Sequence, residues 1–384
     1  MPPLNDFTDV LRLGARVHPD QADDQRLAAA AARLSDWGGF PEVADAHGLA
    51  PLLYSHFTRA GVRLPLETQQ QLLALTLEHR HANKVRFRVL GKILDAYQRE
   101  GIPVVVLKGA ALAHVLYPSP GIRPLADLDL LVERSRAHRA QALLLDLGFW
   151  APPSPLNRDL AGHHHLPAAI VTLDGLLVQV EVHLDALSRD SPGSLSMDRL
   201  SGSPQTFSVE GRSAQALGHV DMLYHLCRHA AECAPQLRLI WVADVLGYAT
   251  RFRDAIPWSD LRARYPFVLN AISLLHLVTA LPVDLLEHVQ PPTLRALSGV
   301  GVAAKPLTEI FKAGRGARAT SRDVFYPSDW WLCLYYALDN RAALAWYRWI
   351  RHPLHIAHWL VRRARSYVQW RLGGLVSNLR RRLR

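Results

Sequence analysis

Asp127 and Asp129 stand two residues apart in the run Asp127-Leu128-Asp129-Leu130-Leu131-Val132. Side chains alternate across a strand. In a strand, then, both carboxylates share one face, and Leu128, Leu130 and Val132 take the other. Like charges so placed repel, and water or a cation must separate them. Mg²⁺ favours such a site, bound by one or two carboxylates together with substrate phosphates. A second run repeats the pattern: Val178, Val180, Val182 and Leu184 alternate with Gln179, Glu181, His183 and Asp185. A neighbouring strand would bring a third acid, Glu181, beside the Asp pair. Three acids can hold two divalent ions, one activating an attacking oxygen and one orienting a triphosphate. The plainer alternative is a solvated face of an antiparallel sheet.

Cations stand nearby. Lys108 and Gly109 follow the apolar run Ile102-Pro103-Val104-Val105-Val106-Leu107, which reads as a buried strand. Glycine lets phosphate approach the backbone, and a helix N-terminus favours anions. Lys108, Gly109 and Arg123 are therefore the candidates to hold phosphate. His163-His164-His165 precede the second acidic run, and His165 and His183 are candidate substrate contacts. An exposed histidine cluster is the simpler account of the former, and pairing with Glu181 of the latter. For His47 and Asp244 the pattern favours packing.

The elements that must position these residues read as helices, then a small α/β core, then helices. Residues 1–100 show helical spacing, with helices expected over 24–34, 42–60 and 66–100, the last stopped by Gly101. Within residues 101–212, strands are expected over 102–107, 127–132, 169–173 and 176–184, the last two joined by Asp174-Gly175, a hairpin signal. Helices are expected over 110–117 and 135–147. Helical periods return from Ser213, giving a second helical region to residue 340 and a basic amphipathic tail over 341–384. The fold class expected is α+β, a mixed sheet flanked by N- and C-terminal helical regions.

Several segments resemble the uncharacterised nucleotidyltransferase family of the polymerase-beta-like superfamily. They are Val106-Leu107-Lys108-Gly109-Ala110-Ala111-Leu112, Tyr117-Pro118, Gly121 to Val132, His164-His165-Leu166-Pro167 and Val180 to Leu184, with Ala46 to Leu53 upstream and Arg238 to Asp244 downstream. The resemblance spans roughly residues 30–265. It implies transfer of a nucleoside monophosphate from an NTP to an acceptor, with Mg²⁺ or Mn²⁺ as cofactor and pyrophosphate released. Asp127 and Asp129 match the superfamily's acidic pair, and Glu181 falls where a third acid would. Typical superfamily members have Gly-Gly or Gly-Ser after the first strand, where this chain has Lys108-Gly109-Ala110. The gap to Asp127 is longer than usual, and glutamate stands where many members have aspartate. The competing reading is a catalytically inactive scaffold that keeps the fold.

Composition bounds the rest. Hydrophobic residues make up 49% and charged residues 20%, enough apolar material for a sizeable core. The net charge of +10 is a property of the tail: residues 341–384 hold eleven Arg and no Asp, Glu or Lys. That tail reads in three ways. It is a helix packed on the body with a solvated Arg face, a helix on an anionic membrane surface or, behind these, a contact for nucleic-acid phosphates. An odd three cysteines and an N-terminus without a basic start and apolar stretch point to a cytoplasmic protein, peripheral at the inner membrane face on the second tail reading. The apolar stretch 267–281 is short for a span and reads as a buried helix.

Overall fold

A computed structural model describes residues 5–152, 164–188, 191, 193–232, 237–289, 325–338, 341–361 and 364. The first helices are α1 (Asn5–Gly14), α2 (Gln21–Ala32), α3 (Phe40–Ala46) and α4 (Ala50–Arg59). A capping box opens α2, with the Asp20 side chain accepting from the Asp23 backbone and Asp23 answering. The helix expected over 42–60 is two. Gly48 takes a left-handed φ of 72° between them, and a Cβ there would meet Ile240 and Arg238 at 3.1 Å. The 34-residue α5 (Leu66–Arg99) is continuous, as its spacing indicates.

Six strands form one mixed sheet: β1 (Val104–Val106), β2 (Asp127–Val132), β3 (Ala169–Leu173), β4 (Leu176–His183), β5 (Gln205–Val209) and β6 (Arg212–Ala216), in the order β3-β4-β2-β1-β6-β5. β2 runs antiparallel to β1 and parallel to β4. Helices α6 (Lys108–Val115) and α7 (Ala137–Asp146) fill the connections around β2. Val178, Val180, Val182, Leu128 and Leu130 are fully buried, so the apolar face of each acidic run is the face that packs.

The β5–β6 hairpin corrects the expectation that helices resume at Ser213. Its strands pair antiparallel from Gln205↔Ala216 to Val209↔Arg212. Glu210 and Gly211 turn it with φ of 50° and 78°, the left-handed pair of a two-residue hairpin loop. The sheet therefore runs past residue 212.

Next in the chain come α8 (His219–Glu232), α9 (Leu239–Arg251), α10 (Trp258–Arg264), α11 (Pro266–His276) and α12 (Val283–Val289). They close on the N-terminal helices: Ile240 N–H donates to the His47 carbonyl at 3.1 Å, and Arg12 Nε to that of Val278 at 2.7 Å. One apolar cluster joins Phe7 to Leu344. The stretch 267–281 is split by the end of α11, and no helix among the described residues is long and apolar enough to cross a membrane. Most of the tail beyond residue 361 lies outside the described residues. Before it, the helix that begins at Arg341–Trp346 packs Leu344 and His352 inward.

Candidate metal and nucleotide site

The parallel register of β2 and β4 sets the site. Asp129 lies opposite Glu181, and Asp127 opposite Gln179. Asp129 is almost wholly buried, at 2% exposure, while Asp127, at the strand's start, is half-buried. Gln179 Nε2 donates to Glu181 Oε1 at 3.0 Å, which steadies the glutamate from its own strand.

Two cations answer the carboxylates. Lys108 Nζ stands 3.1 Å from Asp129 Oδ2. His183 Nε2 donates to Asp129 Oδ1 at 2.7 Å, with Glu181 Oε2 3.5 Å away, and its Nδ1 faces the Asp185 carbonyl at 3.3 Å. Both ring nitrogens thus meet acceptors, the arrangement an imidazolium needs. Burial works against that charge, but Asp129 and Glu181 outweigh it and push His183 up to about 9. Burial would likewise raise Asp129, yet the Lys108 and His183 charges hold it well below the usual carboxylate range. Among the described residues no cation bonds Asp127. Burial first, and then repulsion from Asp129, push it up to about 6. Glu181 is lowered by its hydrogen bond from His183, against burial.

An oxygen of Asp129, one of Glu181 and a nitrogen of His183 lie within 4.8 Å of one another. The sequence pointed to Asp127, Asp129 and Glu181 as the metal set. The geometry adds His183 to the tight group of Asp129 and Glu181, with Asp127 at its rim. The reason is charge: in this arrangement the imidazolium occupies the space between two carboxylates. The carboxylate oxygens are hard donors that suit Mg²⁺ or Mn²⁺.

Lys108 reaches Asp129 from an unusual backbone. Its φ is 43°, left-handed space that costs a lysine about 1 kcal/mol or more and that glycine takes freely. Non-glycine residues held so cluster at functional sites. This is also the turn, Lys108-Gly109-Ala110, where the sequence differs from the Gly-Gly or Gly-Ser that the resemblance leads one to expect.

Two expected phosphate contacts need correction. Arg123 Nη2 donates to Asp244 Oδ2 at 2.6 Å and Nε to Oδ1 at 3.0 Å, all buried, and Tyr117 Oη donates to Asp244 Oδ1 at 2.7 Å. The guanidinium is spent on α9. Gly109 is the floor of that pair: a Cβ there would fall 2.1 Å from Arg123 Nη1. Its missing side chain makes room for an arginine.

His165 lies beside the cluster. It bridges antiparallel to His183, and their ring centroids are 5.4 Å apart. Its Nδ1 bonds the Leu166 carbonyl at 2.7 Å. His164 stacks on it edge-on, and burial, with the neighbouring histidines, lowers His164 to about 4. His163 lies outside the described residues. The sequence reading missed His225 of α8. It is 1% exposed, and neither ring nitrogen has a partner among the described residues. Burial and then the Lys108 charge hold it neutral.

The family described as uncharacterised nucleotidyltransferase matches residues 33–281, and the chain belongs to it. No curated protein matches the chain. Among solved structures, the crystal structure of ANT(2″)-Ia in complex with adenylyl-2″-tobramycin is 16% identical, covering 47% of this chain and 98% of that one, with a TM-score of 0.34. The solution structure of the same antibiotic-resistance factor is 17% identical, covering 48% and 92%, with a TM-score of 0.33. The family makes this chain a transferase of the nucleotidyl class.

Two predictions follow from the charge arrangement. Asp127 ionises near 6 rather than its ordinary 3.8. The folded state therefore carries no penalty below about pH 4, and loses stability as pH rises through 6. Asp127→Asn should raise the metal-free protein's stability at pH 8 by on the order of 1–3 kcal/mol, with the gain vanishing by pH 4. Melting temperatures of the two proteins across that range check it. Asp244→Ala strands Arg123 in the interior and should cost about 3–5 kcal/mol, read from urea midpoints.

Proposed function

We propose that the chain moves a nucleoside monophosphate from an NTP to an acceptor hydroxyl or amine on a small molecule or a peptide or protein side chain, with Mg²⁺ or Mn²⁺ held by Asp127, Asp129 and Glu181. The observation that carries this reading is the register of β2 on β4, which sets Asp129 against Glu181 with Asp127 one pleat away. The bound metal would supply charge neutralisation for the triphosphate and the leaving pyrophosphate. The new bond joins the acceptor atom to the α-phosphorus. The bond from that phosphorus to its bridging oxygen breaks, and the electron pair leaves with pyrophosphate.

The chain's own residues have distinct parts. Asp129 and Glu181, steadied by Gln179, present fixed acceptors that need no rearrangement of the sheet. Asp127 completes the carboxylate set from the rim, and the acceptor's proton passes to solvent water as the acceptor atom bonds the phosphorus. Lys108 can trade Asp129 for a phosphate oxygen once a divalent ion meets the carboxylates. His165 and His183 border the space where substrate would lie.

Calorimetry with all four NTPs, with and without Mg²⁺, tests this on wild type and Asp127→Asn/Asp129→Asn. Expected is metal-dependent binding that the double variant loses by at least tenfold. No binding by folded wild type, with either metal, would sink the reading.

A membrane role for the tail has one supporting observation. Trp346, Trp349, Ile350, Leu354 and Val361 are exposed, Trp349 at 66%, along the side of the helix opposite Leu344 and His352. An apolar stripe in a segment so rich in arginine suits an anionic lipid surface. Full-length protein should sediment with vesicles containing phosphatidylserine, and a chain ending at residue 340 should not. Equal sedimentation of the two would end that reading.

A further inference from the structure

Among the described residues, both cations expected to meet phosphate are engaged in the unliganded chain: Lys108 by Asp129 and Arg123 by Asp244. Arg86 differs from both. Arg86 is only 8% exposed, its Nε is buried without a partner, and among the described residues it makes no hydrogen bond or ion pair. A guanidinium nitrogen buried in that state is costly unless something completes it, and a ligand is one group that can do so.

Its position suggests what does so. Arg86 lies on α5 one turn beyond Asn83. The Asn83 amide donates to the carbonyls of Pro120 at 2.8 Å and Arg123 at 2.7 Å, clasping the loop that leads into β2. A turn earlier, Arg80 lies under Gly121 of the same loop, where a Cβ would come within 3.0 Å of its side chain. This face of α5 therefore follows the loop toward Asp127, and Asp127 supplies the charge that acts on Arg86, against the burial that lowers it. Asp127 is the rim carboxylate, itself without a partnered cation. Arg86 and Asp127 are thus charges of opposite sign that act on each other without a bond between them among the described residues.

We propose that Arg86 binds the triphosphate of the incoming nucleotide, its planar fork engaging two phosphate oxygens while the carboxylates hold the metal. This rests on the nucleotidyltransfer reading above. It makes Arg86 a substrate-binding residue delivered by the N-terminal helical region rather than by the sheet. The anion replaces what the folded chain omits, so the unliganded protein carries the cost of an unpaired charge and the liganded one does not.

The test uses full-length wild type, Arg86→Gln and Arg86→Lys. Binding of Mg-NTP, of Mg-tripolyphosphate and of the parent nucleoside is measured by calorimetry, with melting curves of each unliganded protein. Expected for Arg86→Gln is at least tenfold weaker binding of both Mg-NTP and Mg-tripolyphosphate. Nucleoside binding should be unchanged, and the melting temperature equal to wild type or higher. Arg86→Lys should recover part of the phosphate affinity. If wild type binds Mg-NTP and Arg86→Gln binds it equally well, the assignment is overturned while the nucleotidyltransfer reading stands. If Arg86→Gln melts well below wild type and Arg86→Lys binds no better than Arg86→Gln, the arginine is a packing element, and the assignment is also overturned. If wild type binds neither phosphate ligand, both fall together.

Discussion

Carboxylates brought side by side in the middle of a sheet must be met by positive charge, and much of this molecule serves that requirement. Asp129 and Glu181 are adjacent because β2 and β4 run parallel in one register, and parallel strands require a crossover on a covered face. The positive charge comes from both ends of the core. Lys108 supplies it from the turn after β1, at the cost of a left-handed backbone. His183 supplies it from β4 itself, two residues beyond Glu181. Neither cation is fixed in the sense a structural ion pair is, since each contacts a group that a divalent ion would also satisfy.

The acidic geometry was legible because it depends only on alternation. Two-residue spacing fixes which side chains share a strand face, and the apolar residues between them fix which face is buried. The bounds of β2 and β3 follow from the same pattern, and that of α5 from a long helical period ended by glycine. Commitments made by tertiary contact were not legible. Nothing local distinguishes Arg123, which is bound to a residue 121 positions away, from a cation free to meet phosphate. Gly109 carries the same ambiguity: a glycine after a strand suits a phosphate and an arginine equally.

Other features were hidden for local reasons. The β5–β6 hairpin turns on Glu-Gly rather than Asn-Gly, and β6 reads Arg212-Ser213-Ala214-Gln215-Ala216, small and polar with no β-branched residue. Its strand character comes from pairing with β5 and β1, not from propensity. The break at Gly48 was in fact signalled, by the glycine itself and by Pro51 at the start of the next helix. Arg86 looks in sequence like one more basic position on a long amphipathic helix, and only its burial without a partner sets it apart.

The strut from Arg123 to Asp244 has a consequence for how the protein comes into being. The loop that launches β2, and with it the placement of Asp127, is anchored by a carboxylate more than a hundred residues downstream, while Asn83 clasps the same loop from upstream. All six strands precede α9 in the chain, so on the ribosome the loop has its upstream clasp before its downstream one. Until α9 emerges Arg123 is an unanswered charge, and burying it beside Gly109 is unfavourable. The launch of β2 gains its second anchor only when α9 docks.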